Sequence, residues 1–321
     1  MMRPPPATAA CGGHLGNPAA SKSATWVADS AARAASAGNR AVAAHGRRLA
    51  MIQFTVDGAR VCYHLRMEIL HITDPHLYGH ADGRLRGVET DSSLRAVLDA
   101  AFTEVPDFSA VLVTGDLVQD DAAGYLRFRS IFGGLKKPVL CIPGNHDVPA
   151  EMRRELAGPP FQICGTAHIG AWQFVMLDSY DPGEVGGRLA AAELARLDAA
   201  LTASRDHALI CLHHHPIVMG SHWLDTIGLA NAAEFWRIVD AHPNVRAVAW
   251  GHVHQDFEGH RGDVRLFATP STGAQFLPGS DTFAVDSRPP AYRSLCLHPD
   301  GRIDTQIRWV DVRSSRLVIA R

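Results

Sequence analysis

From residue 67 onward, short continuous apolar runs alternate with segments in which apolar residues recur at every third or fourth position. The first pattern is typical of buried strands and the second of amphipathic helices. The apolar runs predict strands over 67–73, 108–114, 138–142, 207–212 and 245–250. The helical spacing predicts helices over 92–102, 122–132 and 190–201, and a fourth that ends at Val239. Asn231 and Glu234 predict a capping box at the start of this fourth helix.

Further strands are predicted where apolar and polar residues alternate. Segments 162–169 and 172–177 predict one pair of strands, and 264–269, 292–297 and 302–310 predict the strands of the C-terminal part. Because strands that alternate with helices pair in parallel through right-handed crossovers, the pattern predicts an α/β fold.

Each of the five continuous apolar runs ends in a loop that carries Asp, Asn or His side chains. These loop residues are Asp74 and His76, Asp116, Asn145 and His146, His213, His214 and His215, and His252 and His254. Ligand sites in parallel sheets lie at the carboxyl ends of the strands. We therefore expect the five loops to converge on one edge and to form the functional site.

The first 66 residues follow neither pattern. Residues 1–50 contain sixteen alanines and few large apolar residues, so they cannot build a core. Three interpretations stay open: a disordered tail, an organelle-targeting leader, or a translated segment upstream of a start codon at Met67. A twin-arginine signal at Arg47 and Arg48 is disfavoured because Asp57 interrupts the apolar run. We expect residues 1–66 to be disordered or absent from the mature protein, with the downstream start as the leading explanation.

Charge divides the chain at the same point. Residues 1–66 carry a net charge of +6, and residues 67–321 carry −8. The acidic body argues against a nucleic-acid partner, which needs a basic face. The sequence contains no run of eighteen apolar residues, so it predicts no membrane-spanning helix. The six cysteines form no CxxC motif, so a reduced cytoplasmic protein is favoured over a disulfide framework or a thiolate zinc site.

The loop residues together offer carboxylate, amide and imidazole donors and no thiolate. Such a set suits Mn, Fe, Zn or Co. It has too many donors for one tetrahedral zinc. Two ions that share a bridging carboxylate match the count, and paired ions both activate water and bind the oxygens of a phosphoryl group. The pattern therefore predicts metal-dependent phosphoryl chemistry.

Five motifs carry a resemblance to a known family. They are Asp74-x-His76, Gly115-Asp116, Gly144-Asn145-His146-Asp147, His214-His215-Pro216 and Gly251-His252-x-His254, in that order. This series resembles the calcineurin-like metallophosphoesterases. The resemblance implies a four-layer α-β-β-α sandwich, with two mixed sheets flanked by helices, over residues 67–313. Residues 314–321 would form a short tail.

The resemblance also implies two metal ions per chain, with Fe/Mn expected and Zn, Co or Mg as alternatives. One ion would be held by Asp74, His76, Asp116 and His254, and the other by Asp116, Asn145, His214 and His252. Asp116 would bridge them. The family ligand is the first His of the His-His-Pro element, which selects His214. His146 would stabilise charge or act as general acid, and the expected substrate contacts are Asn145, His146 and His215.

Other stretches sharpen the resemblance. Residues 115–120, 213–217, 223–225 and 268–272 are similar to the bacterial class III 3′,5′-cyclic AMP phosphodiesterases, and the likeness extends over almost all of 67–311. It implies a hydrolase in which a metal-bridging hydroxide attacks the cyclic diester and the 5′-monophosphate is released. Gln119 and Asp120 stand where the Ser/Thr phosphatases of this superfamily carry Asp and Arg, which disfavours that branch. A homodimer is an expected assembly, because relatives are often dimers.

Two rival functions stay open at this point. The same chemistry could act on another phosphodiester, a pyrophosphate or a phosphomonoester, because motifs determine the reaction and loops select the substrate. A non-catalytic scaffold is disfavoured because every motif position is filled. His213 is expected to end its strand, and Asp147 and Asp120 to orient their neighbours. Trp223 and Phe276 either pack in the interior or flank a nucleobase.

Overall fold

The computed structural model describes residues 51–56, 59–64 and 66–312. The strands in chain order are β1 Met51–Val56, β2 Ala59–His64, β3 Met67–Ile72, β4 Arg84–Leu85, β5 Val88–Glu89, β6 Ala110–Thr114, β7 Val139–Ile142, β8 Phe161–Ile163, β9 Gly165–Ile169, β10 Trp172–Met176, β11 His207–Cys211, β12 Val245–Trp250, β13 Phe257–Arg261, β14 Val264–Ala268, β15 Gln275–Phe276, β16 Val285–Asp286, β17 Ala291–Leu297 and β18 Ile303–Trp309. The helices are α1 Thr90–Glu104, α2 Gly124–Phe132, α3 Pro149–Glu155, α4 Ala191–Ala203, α5 His222–Asp225 and α6 Ala232–Val239.

Two six-stranded mixed sheets form the body of the described structure. The first has the order β18-β17-β3-β6-β7-β8, and β3, β6, β7 and β8 are parallel. The second has the order β13-β14-β12-β11-β10-β9, and β10, β11, β12 and β14 are parallel. Every loop-bearing strand of the sequence prediction lies in one of these parallel groups. The predicted α/β class with two mixed sheets is therefore confirmed.

Three apolar clusters hold the layers together. Residues of both sheets, among them Ile69 and Phe267, pack against each other in the cluster between the sheets. A second cluster joins the first sheet to α1, α2 and α3, and a third joins the second sheet to α4 and α6. Strand β3 contributes to two clusters because successive side chains point to opposite faces. The result is the predicted four-layer α-β-β-α sandwich.

The prediction of one strand over 162–169 is wrong, because the chain changes sheets inside this segment. Strand β8 pairs with β7 in the first sheet, whereas β9 pairs with β10 in the second. Cys164 between the strands and Gly165 at the start of β9 have φ angles of 53° and 86°, which turn the chain out of the first sheet. Alternation of apolar residues is the same on both sides of the turn, so the pattern did not indicate it.

The capping box predicted at Asn231 is also wrong. Helix α6 begins at Ala232, but the Asn231 side chain makes no hydrogen bond to the first turn. Its amide instead accepts from the Leu189 backbone N–H at 3.0 Å and donates to the Leu189 carbonyl at 2.9 Å. A planar amide matches a backbone amide in both directions, so Asn231 links the start of α6 to the segment before α4.

The segment before β3 contains one described feature, an antiparallel pairing of β1 with β2 in the register Met51↔His64. The sequence pattern predicted no element there. The rest of the predicted 1–66 extension, and the predicted 314–321 tail, lie outside the described residues. The division of the chain into extension, domain and tail stays a prediction. In the described part of the chain, no helix combines the length and the apolar composition that crossing a bilayer requires.

Candidate metal centre

The five predicted loops meet where the carboxyl ends of the two sheets lie side by side. Strands β3, β6 and β7 of the first sheet lead to Asp74, His76, Asp116 and Asn145. Strands β11 and β12 of the second sheet lead to the three consecutive histidines and to His252 and His254. The site therefore lies at the junction of two sheets and not at the edge of one.

Five of these residues have left-handed backbone conformations. The φ angles are 53° at Asp74, 46° at His76, 51° at Asp116, 68° at His252 and 47° at His254. Such angles are uncommon outside glycine and each costs about 1–3 kcal/mol. Neighbouring backbone holds them, since the Asp74 N–H donates to Gly115 O at 3.1 Å and the His76 N–H to Asp116 O at 2.9 Å. The chain thus turns sharply after each strand and directs these side chains into one volume.

The first donor group contains Asp74, His76 and His254. The Nε2 atom of His254 lies 3.2 Å from Oδ1 of Asp74 and 3.1 Å from Nε2 of His76. The Nδ1–H group of His254 donates to the Ala274 carbonyl at 2.7 Å, so its Nε2 atom carries a free lone pair. Burial lowers the pKa of His76 to about 4, which keeps this imidazole neutral. Neutral imidazole nitrogens that face a carboxylate are typical metal donors.

The second donor group contains Asn145, His213 and His252. The Nε2 atom of His213 lies 3.2 Å from Oδ1 of Asn145 and 3.2 Å from Nδ1 of His252. The His213 Nδ1–H group donates to the Thr114 carbonyl at 2.7 Å, which leaves Nε2 as the lone-pair atom of the neutral ring. The structure therefore brings His213, which was predicted only to end its strand, into the centre of this group.

His214, the residue that the resemblance selected, has both ring nitrogens engaged elsewhere. Its Nδ1 atom accepts from the Ser179 hydroxyl at 2.8 Å, and its Nε2–H group donates to the Val185 carbonyl at 3.2 Å. His214 remains close, because donor atoms of His213, His214 and His252 all lie within 4.8 Å of one another. The hydrogen bonds therefore favour His213 over His214 as the imidazole whose Nε2 atom faces the centre.

Asp116 lies between the two groups. Its Oδ2 atom is 3.7 Å from Nε2 of His76 and 3.4 Å from Nε2 of His213, and its Oδ1 atom accepts from the His146 backbone N–H at 2.9 Å. Burial alone would raise the pKa of the Asp116 carboxyl, but His213 and His76 hold it well below its usual range. Burial opposes protonation of His213, yet the Asp116 carboxylate outweighs it and raises the His213 pKa to about 9, so a metal ion bound at Nε2 would displace the proton from that atom. One carboxylate therefore faces both donor groups, as a bridging ligand would.

His146 lies at the solvent side of the centre. Its side chain is 33% exposed, and its ring centroid is 5.3 Å from that of His76. Its Nδ1 atom lies 2.9 Å from Nε2 of Gln119 and 3.0 Å from Oδ2 of Asp120. Asp120 thus orients His146, as the sequence predicted.

Asp147 and His215 lie in the buried layer around the centre. The Asp147 carboxylate accepts from the backbone N–H groups of Leu117 at 3.1 Å and Gly144 at 2.9 Å and from the Tyr125 hydroxyl at 2.8 Å. It therefore fixes two of the loops together, which confirms its predicted orienting role. The ring of His215 is stacked on that of His252 at a centroid distance of 5.7 Å, and only 2% of the residue is exposed.

Residues outside the predicted donor set support the donors, and two of them, Thr73 and Thr114, were missed by the sequence analysis. The Thr73 hydroxyl donates to Asp74 Oδ2 at 2.7 Å, and the Thr114 hydroxyl donates to that of Thr73 at 2.8 Å. Phe276 is stacked on His254 with centroids 4.0 Å apart and planes 5° apart. Two glycines are required by close approach. A Cβ atom at Gly144 would lie 2.2 Å from Asp116 Oδ1, and one at Gly251 would lie 2.1 Å from Thr73 Oγ1.

The donor set fits a pair of metal ions. It is made of carboxylate, amide and imidazole atoms, and it suits Mn, Fe, Zn or Co. Four ring nitrogens in and around the site, Nδ1 of His76, Nε2 of His252 and both nitrogens of His215, are buried without a hydrogen-bond partner. Polar atoms of this kind are costly unless a ligand compensates them. Within the described residues, the clusters around Asp74 and around His213 are therefore the donors that would hold the ions.

Comparison with known proteins identifies the family of the chain. The family model of calcineurin-like phosphoesterases matches residues 67–256. A Vibrio vulnificus protein named 3′,5′-cyclic adenosine monophosphate phosphodiesterase CpdA is 41% identical over 248 residues, which is 75% of this chain and 89% of the relative. The Escherichia coli protein of the same name is 37% identical over 252 residues, which is 77% of this chain and 92% of the relative.

Solved structures agree on the fold. A dimetal phosphatase from Danio rerio superposes with a TM-score of 0.54 at 15% identity, and the match covers 76% of this chain and 99% of that one. Purple acid phosphatase PPD1 from yellow lupin seeds superposes with a TM-score of 0.52 at 14% identity over 77% of this chain and 54% of that one. Family members bind a dinuclear metal centre, and the two donor groups around Asp116 match that property. The chain belongs to the calcineurin-like phosphoesterase family and is a metal-dependent hydrolase.

Proposed function

We propose that the protein is a 3′,5′-cyclic AMP phosphodiesterase that releases the 5′-monophosphate. The observation that carries this proposal is the pair of donor groups that share Asp116, with His146 accessible beside them. Relatives that carry this activity in their names align with three quarters of the chain and about nine tenths of their own length. The net charge of −8 over residues 67–321 supports a small-molecule substrate and not a nucleic acid.

The proposed ligands follow from the two donor groups. One ion is assigned to Asp74, His76, Asp116 and His254, and the other to Asp116, Asn145, His213 and His252. His213 replaces His214 in this set, because the Nε2 atom of His213 faces Asp116 and Asn145, whereas Ser179 and Val185 engage the two ring nitrogens of His214. Fe/Mn remains the proposed metal pair, with Zn, Co or Mg as alternatives, since these O and N donors accept all of them.

When bound, two such ions supply Lewis acidity to the phosphate oxygens and lower the pKa of a water at the site. The residues of this chain do the rest. Asp116 keeps the two donor groups at a fixed separation, and the hydrogen bonds to Thr114 O and Ala274 O keep His213 and His254 in the donor tautomer. Asn145 and His146 lie on one turn, so both are proposed to contact the phosphate.

His146 is proposed as the general acid. The Asp120 carboxylate lies 3.0 Å from Nδ1 and fixes the ring, so the Nε2–H group is proposed as the proton donor. That proton passes to the 3′ oxygen as the bond from phosphorus to this oxygen breaks and a water oxygen bonds to phosphorus. Gln119 donates to the same Asp120 carboxylate at 2.8 Å and limits its rotation.

A substrate panel tests the proposal. Purified protein with Mn²⁺ is given 3′,5′-cyclic AMP, 3′,5′-cyclic GMP, 2′,3′-cyclic AMP and glycerophosphodiesters, and the products are separated by chromatography. We expect 3′,5′-cyclic AMP to give the highest kcat/KM and 5′-AMP as the product. The substrate assignment is wrong if a diester that is not a 3′,5′-cyclic nucleotide is hydrolysed equally well or better.

Size measurement in solution tests the proposed homodimer. The cytoplasmic location stays a proposal, supported by the four free cysteines of the described residues.

A further inference from the structure

Beside the metal centre, three aromatic rings and one guanidinium form a surface that the chemistry above does not use. We call it the aromatic wall, defined by Arg86, Trp223, Phe276 and Phe283. Its members come from three separate segments, which are the turn between β4 and β5, helix α5 and the hairpin of β15 and β16. Distant parts of the chain therefore meet to build one aromatic surface, as they do to build the metal centre.

The wall begins against a proposed metal ligand. Phe276 lies flat on His254, with ring centroids 4.0 Å apart. Trp223 and Phe283 each meet Phe276 edge to face, at 5.4 Å and 5.2 Å, and they meet each other at 5.2 Å. The interplanar angles of these three contacts lie between 68° and 76°. The rings thus extend in contact with one another from His254 towards the surface.

The outer end of the wall is open to solvent. Phe283 is 41% exposed, although a ring of this size normally favours burial. The Arg86 guanidinium lies 4.5 Å from the Phe283 ring centroid, and Arg86 is itself exposed. Of the large hydrophobic residues described as exposed, three lie on this hairpin, namely Leu277, Phe283 and Val285. An exposed apolar surface beside a catalytic centre commonly marks the place where a ligand binds.

We propose that the aromatic wall receives the purine base of the cyclic nucleotide, which stacks on the exposed surface of Phe283 and Trp223. This inference rests on the proposed function. A cyclic phosphate held at the donors around Asp116 carries its base on the far side of the ribose, and the wall extends outward from the adjacent His254. Aromatic faces bind bases of any sequence by stacking, and a guanidinium adds attraction to the base and to the anionic phosphate. The wall therefore selects a nucleotide over a phosphodiester without a base.

The test compares two substrates that share the same reacting ring. One is 3′,5′-cyclic AMP, and the other is methyl β-ribofuranoside 3′,5′-cyclic phosphate, which lacks the base. We expect Phe283→Ala and Phe283→Leu to raise KM and lower kcat/KM for cyclic AMP by about ten-fold or more. The same variants should leave kcat/KM for the base-free diester within about two-fold of the wild-type value. Phe283→Tyr keeps an aromatic face and should retain most of the activity on cyclic AMP.

Further variants separate stacking from support of the metal centre. Val285→Ala removes an exposed apolar side chain of the same hairpin and should behave as wild type on both substrates. Trp223→Leu tests the inner part of the wall, and metal content is measured for every variant. The inference is overturned if the Phe283 variants keep the wild-type KM for cyclic AMP, or if both substrates lose activity equally. If the wild-type protein does not hydrolyse cyclic AMP, the proposed function itself fails, and the base-free diester then reports whether the metal centre is active.

Discussion

The Nε2 atom of His213 lies 3.4 Å from the Oδ2 atom of Asp116, the same oxygen that lies 3.7 Å from Nε2 of His76. His213 belongs to the second sheet and Asp116 to the first, so this contact joins the two halves of the sandwich at the metal centre. The neighbouring His214 points its ring nitrogens at Ser179 and Val185 instead. Replacing His213 is therefore expected to lower metal binding and activity more than replacing His214.

We expect His213→Ala to remove about one of the two ions per chain. The activity should fall by about 100-fold or more. Replacing a residue that only hydrogen-bonds to a metal ligand already lowers metal affinity or activity by about 10–100-fold. His214→Ala is expected to keep more of the metal, since its ring nitrogens have other partners. Elemental analysis of both purified variants checks this. Two ions retained in His213→Ala, together with one lost in His214→Ala, would return the assignment to His214.

Asp116→Asn should remove most of the activity and lower the binding of both ions. The amide keeps the size of the side chain but loses the negative charge that faces His76 and His213. Asp82→Asn is the matched control, because the Asp82 carboxylate is exposed and forms an ion pair with the exposed His80 ring. Metal titration and steady-state kinetics measure the effect. An Asp116→Asn protein with two ions and near-normal turnover would contradict the bridging role.

His146→Gln should retain both ions and lose about 10²–10⁴-fold in kcat for cyclic AMP, the usual value of a general acid. The loss should be much smaller for bis(4-nitrophenyl) phosphate, because 4-nitrophenolate leaves without a proton. Asp120→Asn should follow the same dependence on the leaving group with a smaller effect. An equal loss for both substrates would mean that His146 assists the attack of water or the binding of the substrate, and not the departure of the leaving group.

His71 should make the fold sensitive to acid. It is fully buried between the hydroxyls of Thr114 and Thr269, at 2.8 Å from each, and burial lowers its pKa from 6.5 to about 3. The unfolded chain binds a proton below pH 6.5 and the folded chain does not, so stability is lost as the pH falls from about 6.5 towards 3. The slope from this one group is about 1.4 kcal/mol per pH unit.

Urea unfolding of the metal-loaded enzyme at several pH values measures this slope. His71→Gln should be less stable than wild type at pH 8, because the buried hydroxyls of Thr114 and Thr269 lose the imidazole that hydrogen-bonds to both of them. Its stability should nevertheless decline less steeply between pH 6.5 and 5. His168→Gln, at an exposed position on β9, serves as the control and should keep the wild-type slope. An unchanged slope in His71→Gln would exclude His71 as the acid-sensitive group.

The sequence predicted those features that a single segment determines. Apolar runs predicted the strands of the parallel groups. The polar residues after these runs predicted the candidate donors Asp74, His76, Asp116, Asn145, His252 and His254. Strand β13 was missed because it is short and mostly exposed. The break at Cys164 and Gly165 was missed because only the two sheets, which form from distant segments, require it there.

Choices among chemically equal neighbours also depend on distant partners. His213, His214 and His215 are identical in type, and their roles differ because His213 meets the Thr114 carbonyl, His214 meets the Ser179 hydroxyl, and His215 is stacked flat on His252. The same holds for Asn231, whose amide meets Leu189 and not its own helix. Trp223 is far in the chain from the hairpin that carries Phe276 and Phe283, so their common surface is visible only once the fold brings them together.

The metal donors come from both sheets, and this has a mechanical consequence. Any sliding of one sheet over the other would change the distance from Asp116 and Asn145 to His213 and His252. The apolar side chains between the sheets, such as Ile69 and Phe267, resist that sliding through close packing. Activity is therefore coupled to the stiffness of the interior, and a void opened between the sheets is expected to loosen metal binding from a distance without altering any ligand.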